Sequence, residues 1–459
     1  MKGCKNTILF RYSEIGLKGK NLRFFEQILQ QNILKALEHL DFLNHDNQVP
    51  HKVKIRFVQK QGIIEFVNFE VLSQEQIDKI NQILQYIPGI QWWGVCQQVY
   101  DFNNLDTVLA SLKDFFQKQF SGMQDKLSNS VIKIEVKRYD KSISFTSNDV
   151  WLGLMKYLRK DFSINTKTSN ASTNIENTNT ANSNTANTNT AHSNTANLHT
   201  ANFNPAKSLF YHNNVLRYKI FVYSNYLQVI KLYSGIGGLP VGSSGRGLVL
   251  FSGGIDSPVS AFLLARRGIK FDLLHFTPKD SQTIRKTKIY KLWLQLRKIN
   301  PYTRLFIAKI PFVQQLVQQN KVFTIYNPMI FFKHIIFRVA QDFARKLYKN
   351  KDFVLISGDS LGQVSSQTIS NLRATELLLD KQILVLRPCI GLNKQEIINL
   401  ATFLGTYDLS IQEYDDCCSR LSKTSKTQTD IVKFVKQDEQ LGIEQIIQQS
   451  LQTVKEVVV

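Results

Sequence analysis

Cysteines, acidic residues and long apolar stretches are all scarce in this chain of 459 residues. The number of cysteines, five, is odd, and their spacing is not that of a disulfide-bonded scaffold, which argues against a secreted protein of that class. No spacing of Cys and His residues is typical of a zinc site. No apolar run approaches the roughly 18 residues that a membrane span requires. No long apolar stretch follows the first lysines, as it would in a signal peptide. We therefore expect a cytoplasmic protein with reduced thiols and no membrane partner.

Acidic residues are outnumbered, with 36 Asp and Glu against 57 Lys and Arg, and the formal net charge is +21. Such a charge favours a polyanionic partner, nucleic acid before a membrane surface, although a lysine-rich solvated surface is the simpler alternative. Hydrophobic residues make up 43% of the chain, which is enough to bury a sizeable core, and the length suits two or three domains.

The residues before 234 have the pattern of small α+β domains. Helical spacing at 24–37 and 75–84, with alternation at 52–58 and 62–67, predicts helices and a strand pair in the first 90 or so residues. Further strands at 131–136, 218–223 and 228–233, the last two joined as a hairpin, and a helix at 149–159 are predicted next. Residues 165–206, rich in Asn and Thr, are predicted to be a disordered insertion in this second domain.

From residue 248 onward, strands and helices alternate, which predicts a doubly wound parallel sheet. Strands are predicted at 248–251, 271–276, 304–307, 353–357 and 382–386, and helices at 259–267, 288–297 and 329–348. Residues 429–454 are predicted to be a polar, amphipathic helical tail.

A loop between the first of these strands and its helix carries the clearest chemical signal. The string Ser252-Gly253-Gly254-Ile255-Asp256-Ser257 combines glycines, which let the backbone approach a ligand closely, with two hydroxyls. Backbone N–H groups at the start of a helix bind anions, so the string predicts a polyphosphate site. Asp256 is unusual beside an anion and fits a Mg²⁺ ion carried by the phosphates.

This loop resembles the PP-loop of ATP pyrophosphatases, and three further segments resemble the ThiI family of tRNA uridine 4-sulfurtransferases. They are the segments at 12–21, 237–242 and 358–368. The resemblance implies an N-terminal ferredoxin-like α+β domain at 1–60, a THUMP α/β domain at 61–234, a PP-loop domain at 240–425 with the adenine nucleotide alpha hydrolase-like fold, and a helical tail at 426–459. It covers nearly the whole chain outside the insertion.

The resemblance also implies the reaction. A uridine of tRNA, at position 8, is adenylated by ATP on its O4 atom, and a cysteine persulfide then delivers sulfur to C4, giving 4-thiouridine and AMP. The implied partners are tRNA, a cysteine desulfurase as persulfide donor and, for a second duty in thiamine thiazole synthesis, the sulfur carrier protein ThiS. A homodimer is compatible with the sequence. We expect no rhodanese-like domain, because about forty residues follow Cys418.

Site residues follow from the same resemblance. Asp256 and Cys418 are the implied catalytic residues, although Cys417 stays open as the persulfide carrier. Lys333, with Arg338 second, matches a basic position near the nucleotide. The other implied nucleotide-binding residues are Leu250, Phe251, Ser252, Gly253, Gly254, Ser257, His275, Phe276, Gly358 and Gln367. A resolving thiol could be Cys417, Cys389 or a small-molecule reductant.

Basic and aromatic residues of the small domains are the candidates for binding tRNA. They are Lys18, Lys20, Arg23, Lys133, Lys137, Arg138 and Lys141, with Tyr139 and Phe145 nearby. Two other functions stay open. One is a different PP-loop ATP pyrophosphatase acting on RNA, and the other is a tRNA-binding protein without catalysis.

Overall fold

A computed structural model describes residues 6–12, 14–38, 40–43, 53–58, 61–67, 69–122, 131–162, 215–277, 279, 281–311, 313, 325–349, 351–414 and 426–458. The predicted insertion at 165–206 lies outside the described residues, as do Cys417 and Cys418. Among the helices of the described part of the chain, none is long and apolar enough to cross a membrane.

The first elements form an antiparallel sheet with two helices. They are β1 (Thr7–Tyr12), α1 (Leu22–Leu37), β2 (Val53–Val58), β3 (Gln61–Phe66), α2 (Gln74–Leu84) and β4 (Ile90–Asp101). The strand order β2-β3-β1-β4, with the helices following β1 and β3, is that of a ferredoxin-like domain and confirms the predicted fold class. The inward side chains of the alternating strands, such as Ile8, Phe10 and Ile64, are fully buried.

Two sequence patterns explain where these elements begin. The alternation of β2 and β3 pairs them antiparallel, with Ile55 opposite Ile64, as predicted. Helix α2 begins at a capping box in which Ser73 and Gln76 each bond the other's backbone N–H. The domain boundary that we predicted at residue 60 falls between these two hydrogen-bonded strands.

Residues 97–231 form a compact unit of their own. It contains α3 (Leu105–Phe120), β5 (Val131–Arg138), α4 (Ser147–Phe162), β6 (Val215–Val222) and most of β7 (Tyr226–Ser234). Strands β5 and β6 pair in parallel. The hairpin joining β6 and β7 turns at Ser224-Asn225, as the sequence predicts, and the Tyr223 N–H donates to the Tyr226 carbonyl.

The second half of the chain is built on a six-stranded sheet in the order β12-β11-β8-β9-β10-β13. Its parallel strands are β8 (Arg246–Leu250), β9 (Lys270–Phe276), β10 (Leu305–Ala308), β11 (Phe353–Ile356) and β12 (Leu384–Leu386). The connecting helices are α5 (Asp256–Ala265), α6 (Ser281–Ile284), α7 (Lys288–Arg297), α8 (Pro328–Tyr348), α9 (Ile369–Glu376), α10 (Lys394–Phe403) and α11 (Tyr407–Ser410). This arrangement confirms the doubly wound sheet.

The predicted helical tail consists of two helices and a strand. Helices α12 (Ile431–Gln440) and α13 (Ile443–Gln452) pack their apolar residues, among them Phe434 and Ile447, into the core around α8. Strand β13 (Lys455–Val457) then pairs antiparallel with β10 and forms an edge of the sheet. We did not predict this strand, because three residues are too few to show a period.

The ferredoxin-like elements and the parallel sheet belong to one compact unit, residues 1–96 and 232–459. The Asn32 side-chain amide donates to the Val241 carbonyl over 3.0 Å, and Arg267 pairs with Glu14 at 2.8 Å. The Gly89 N–H donates to the Gly237 carbonyl, so the glycine-rich segment at 237–242 is fixed between the two parts.

Candidate functional site

The loop after β8 is shaped to expose backbone N–H groups. Gly253 has φ +77°, a conformation that side chains rarely adopt, and a Cβ added there would lie 2.3 Å from Ile289. Helix α5 begins without a side-chain cap, so its first N–H groups have no intrahelical or capping partner. The hydroxyls of Ser252 and Ser257 lie 3.3 Å apart beside them. These groups together can bind an anion.

The loop lies where the order of the parallel strands reverses. The chain runs from β8 to β9 and β10 on one side, then returns to β11 and β12 on the other. Ligands of open α/β sheets bind at such a position, beyond the carboxyl ends of the strands. Gly358, just after β11, packs so closely on the first turn of α5 that an added Cβ would lie 2.9 Å from the Ser257 nitrogen.

Asp256 is held at the rim of this crevice by what we call the outer cluster: Asp256, Lys394 and Gln363. The ammonium group of Lys394, at the start of α10, lies 2.9 Å from Oδ1 of Asp256. The side-chain amide of Gln363 donates to Oδ2 over 3.1 Å. The carboxylate remains 20% exposed, and therefore it is both oriented and accessible.

Asp359, deeper in the crevice, is the centre of an inner cluster that also contains Lys333, Arg387, Ser357 and Gln367. Lys333 lies 2.8 Å from Oδ1, and the Ser357 hydroxyl donates to Oδ2 over 2.5 Å. Burial opposes the charge of Asp359, but Lys333, Ser357 and Arg387 outweigh it and lower its pKa to about 2. Oε1 of Gln367 is buried without a hydrogen-bond partner among the described residues, so it is available to a ligand.

His275 closes the opposite side, at the end of β9. Its Nδ1 lies 2.7 Å from the Phe251 carbonyl, and its Nε2 lies 3.1 Å from the hydroxyl of Tyr414. Burial lowers its pKa to about 4, with a further lowering from Lys279 and Lys288 against the raising effect of the Phe251 carbonyl. The ring is therefore neutral near pH 7, and it connects the loop to the residue that precedes the 415–425 segment.

Several of the nucleotide-binding residues implied by the resemblance are buried at or near the carboxyl ends of their strands. Leu250 and Phe276 belong to the cluster around α8, and both are 8% exposed. Phe251 is 2% exposed and contributes its carbonyl to His275. Arg338, the second choice for the basic position, pairs with Glu444 at 2.9 Å, whereas Lys333 lies in the inner cluster. The persulfide candidates Cys417 and Cys418 lie outside the described residues.

Cys389, one candidate for a resolving thiol, lies beneath the first turn of α5. Its side chain is fully buried, and the hydroxyl of Ser260 donates to its sulfur over 3.1 Å. Burial raises the pKa of this thiol to about 11, so almost none of the reactive thiolate forms near pH 7. Its surroundings are those of a structural cysteine.

Sequence reasoning did not single out Asp359, Arg387, Gln363 or Lys394 as site residues. Asp359 and Gln363 stand inside the segment at 358–368 that carried the resemblance, so a signal for them existed. Lys394 has only a local signal, the capping box formed by Asn393 and Glu396, and that box concerns the start of α10. Its approach to Asp256 joins residues 138 positions apart.

In the separate unit at 97–231, basic and aromatic side chains share one end of the strands. Tyr139, 43% exposed, stacks on Tyr223 at 5.0 Å between ring centroids, and Tyr223 stacks on Tyr226 at 4.5 Å. The ammonium of Lys137 lies 4.8 Å from the centre of the Tyr139 ring. Phe145, by contrast, is buried against Phe102 and is unavailable for stacking on a base.

Comparisons with known proteins agree with this arrangement. The family model "Thiamine biosynthesis protein (ThiI)" matches residues 242–443, and the "ThiI ferredoxin-like domain" matches residues 7–93. A relative named probable tRNA sulfurtransferase from Halothermothrix orenii is 30% identical over 418 residues, covering 90% of this chain and 88% of that protein. A protein of the same name from Malacoplasma penetrans is 28% identical and covers 90% and 89%.

Solved structures share the fold. A 4-thiouridine synthetase in complex with RNA and bound ATP matches with a TM-score of 0.64 and 21% identity over 98% of both chains. The protein PH1313 from Pyrococcus horikoshii matches with a TM-score of 0.50 and 17% identity, covering 87% of this chain and 99% of that one. Together with the family models and the relative at 30% identity, these likenesses show that the chain belongs to the ThiI family of sulfurtransferases.

Proposed function

We propose that this protein uses ATP to transfer persulfide sulfur to a uridine of tRNA, at position 8, giving 4-thiouridine. The observation that carries the proposal is the uncapped loop before α5, which lies between an oriented carboxylate and an unpaired buried amide oxygen. Two findings support the proposal. This chain matches relatives named probable tRNA sulfurtransferase over most of their length. The 4-thiouridine synthetase that shares its fold was solved with bound ATP.

The loop is suited to hold the phosphates of ATP. The start of α5 has no side-chain cap, the hydroxyls of Ser252 and Ser257 lie 3.3 Å apart, and the Gly254 N–H donates to the Ser252 hydroxyl over 3.3 Å. Oε1 of Gln367 is free to accept a hydrogen bond. Mg²⁺ would bind through the phosphates with Asp256 as its protein carboxylate, since no group of three or more potential metal ligands occurs among the described residues.

The chemistry has two steps in this proposal. O4 of the uridine attacks the α-phosphorus and pyrophosphate leaves, while the N3 proton is lost to solvent. Lys394 and the amides of the loop stabilise the charge that develops on the departing phosphates. The adenylate is needed because a carbonyl oxygen is a poor leaving group.

Sulfur transfer then uses Cys418, with Cys417 as the alternative. The terminal persulfide sulfur attacks C4 and displaces AMP. A second thiol attacks the cysteine sulfur, which forms a disulfide and leaves sulfur doubly bonded to C4 with a proton back on N3. Since Cys389 is buried with a raised pKa, we propose that Cys417 or a small-molecule thiol supplies this step. A cysteine desulfurase would supply the persulfide, and transfer to ThiS would use the same cysteine.

Binding of tRNA is assigned in this proposal to the basic surfaces of the small domains. The unit at 97–231 would be the main part of the THUMP domain, with Lys137 and the stacked tyrosines facing RNA. Lys20 and Arg23 are exposed on the ferredoxin-like domain. Phosphates bind lysine and arginine, and bases stack on aromatic rings.

The test is to incubate the protein with ATP, Mg²⁺, unmodified tRNA and a persulfide donor, and to measure 4-thiouridine by mass spectrometry of the digested tRNA. We expect product only when all components are present. The Cys418→Ser variant should still release pyrophosphate but form no 4-thiouridine. If Cys417→Ser behaves this way instead, the persulfide is on Cys417. Pyrophosphate release without any thiolated base in the unaltered protein would favour another PP-loop reaction on RNA, and binding of tRNA alone would favour a protein without catalysis.

A further inference from the structure

A second, strongly basic cleft lies beside the loop, beyond the carboxyl end of β9. Its volume is about 340 Å³. It is formed where the start of α7 meets the residues that follow α11. The residues that line it are Lys279, Lys286, Thr287, Lys288, Lys291, Gln412, Glu413 and Tyr414.

Among the described residues that line this cleft, positive charge is in excess. Four lysines face one carboxylate, Glu413. Lys286 and Lys291 are exposed, and neither they nor Lys279 forms an ion pair with a described carboxylate. Lysines gathered without acidic partners repel one another, so the cleft is at its most stable when an anion enters. The partial positive charge at the amino end of α7 adds to that of the lysines.

Lys288 has a different role from the other lysines of the cleft. Its ammonium donates to the carbonyls of Ser410 and Gln412 at 2.7 and 2.8 Å, which fixes one wall of the cleft. Lys279 lies 4.4 Å from the centre of the Tyr414 ring. The cleft is therefore a formed feature, with Lys286 and Lys291 left to meet a ligand.

The cleft lies next to the proposed phosphate-binding loop. A Cβ on Gly253 of the loop would lie 3.7 Å from Cε of Lys288. Tyr414 contacts His275 over 3.1 Å and precedes Cys418 by four residues along the chain. A nucleotide whose base reaches the loop would carry its flanking phosphates close to the cleft.

We propose that this cleft binds phosphodiester groups of the RNA that flank the target nucleotide, with Lys286 and Lys291 as the contacting residues. The inference rests on the proposed function, because it takes an RNA nucleotide as the substrate of the neighbouring loop. Lysine serves as a point charge for phosphate and reads no base, so the contact fixes the position of the nucleotide and not its sequence. Pyrophosphate is the other source of the same chemistry, and the experiment separates the two.

The experiment compares the full-length protein with Lys286→Ala/Lys291→Ala. Affinity for a tRNA transcript is measured by fluorescence anisotropy from 50 to 300 mM salt, and affinity for ATP is measured without RNA. We expect the variant to bind tRNA at least about tenfold more weakly at low salt, with a slope of log K against log salt reduced by about two. Affinity for ATP, and competition by free pyrophosphate against ATP, should change less than twofold.

The matched control is Lys351→Ala/Lys381→Ala, which removes two exposed lysines that precede β11 and β12, at the amino ends of these strands. It should leave the slope unchanged. If both variants lost the same amount of tRNA affinity, the loss would be explained by net charge alone, and the proposal would be wrong. A change in ATP or pyrophosphate binding would assign the cleft to the nucleotide and overturn it as well.

A second measurement locates the contact. A tRNA carrying a neutral methylphosphonate beside the target uridine should bind the unaltered protein more weakly and bind the lysine variant no more weakly than unmodified tRNA does. Additive losses would show that the lysines contact other phosphates, which contradicts the proposal. These binding results do not depend on turnover. If the binding results are as expected but no 4-thiouridine forms, the proposed function is wrong, whereas the proposed RNA contact is supported.

Discussion

Asp256, in the loop, and Asp359, which follows β11, belong to the same candidate site, yet their surroundings give them opposite properties. Asp359 is 6% exposed in its side chain and is surrounded by Lys333, Arg387, Ser357 and Gln367. Asp256 is 20% exposed, with one ammonium and one amide as partners. The charge of Asp359 is balanced by partners within the protein, whereas the Asp256 carboxylate remains partly accessible.

The difference separates structure from chemistry within one site. A buried carboxylate with two cations holds β11, β12 and α8 together, and the same contacts prevent it from meeting a ligand. The outer cluster orients its carboxylate with few partners, which is the arrangement expected of a group that meets substrate or metal. Presence in a site does not therefore make a charged residue catalytic.

The largest effect should come from neutralising the inner carboxylate. Asp359→Asn leaves Lys333 and Arg387 without their shared anion in a buried position, so we expect the free energy of unfolding to fall by about 3–5 kcal/mol. Asp256→Asn, which is partly exposed, should cost less than about 1 kcal/mol but reduce pyrophosphate release more than about a hundredfold. Urea unfolding and a pyrophosphate assay measure the two quantities.

The control for this pair is Asp352→Asn, the same chemical change at an exposed position next to β11. Its unfolding free energy should stay within about 0.5 kcal/mol of the unaltered protein. Similar losses of stability in the Asp256 and Asp359 variants would remove the distinction between the outer and inner clusters.

The next effect concerns His275, which is buried like Asp359 but uncharged. Its pKa of about 4 in the folded state lies below the usual value of 6.5, so the unfolded chain takes up a proton first as the pH falls. The stability that this group contributes is complete above pH 6.5 and is lost as the pH falls toward 4, by about 3 kcal/mol in all. Urea unfolding of the unaltered protein and His275→Gln at several pH values measures it.

Above pH 6.5 the two curves should run parallel, and below it the variant should lose less stability than the unaltered protein. A variant that loses as much between pH 6.5 and 4 would show that His275 is not the titrating group. It would then no longer be an example of a buried residue kept neutral beside the loop.

The smallest effect should come from Cys389, which lies below the outer cluster. Since its thiol is buried with a raised pKa, Cys389→Ala should change 4-thiouridine formation less than twofold, as should the control Cys96→Ala. Thiol alkylation of the folded protein should also leave Cys389 largely unmodified. Loss of thiolation in the Cys389 variant alone would identify it as the resolving thiol and place reactive chemistry under the loop.

Much of the fold could be predicted because its signals are local. Periodicity or turn residues within a short stretch of sequence predict the β8–loop–α5 unit, the β2–β3 pair and the hairpin at Ser224-Asn225. Helix α3 and strand β4 were missed although they are long. Strand β4 mixes buried and half-buried residues without alternation, so its sequence has no clear period. Helix α3 was predictable, because its buried residues recur at helical spacing.

The site was predictable only where a motif is contiguous. Ser252 to Ser257 form one turn, so their grouping is visible in the sequence. The pairings of Lys394 with Asp256 and of Lys333 with Asp359 join residues from separate strands and helices, and no local pattern records them. Similarly, the burial of Phe276 and Cys389 depends on α8 and α5, which the residues beside them do not reveal.

The edge strand β13 bears on how the molecule is made. Residues 97–231 form a compact unit from one continuous stretch of chain, so this unit can assemble before the rest of the chain has been synthesised. The unit that holds the loop joins residues 1–96 to residues 232–459, and β10 gains its outer neighbour only when residue 457 has been synthesised. During translation the unit at 97–231 can therefore form before the unit that holds the loop is complete.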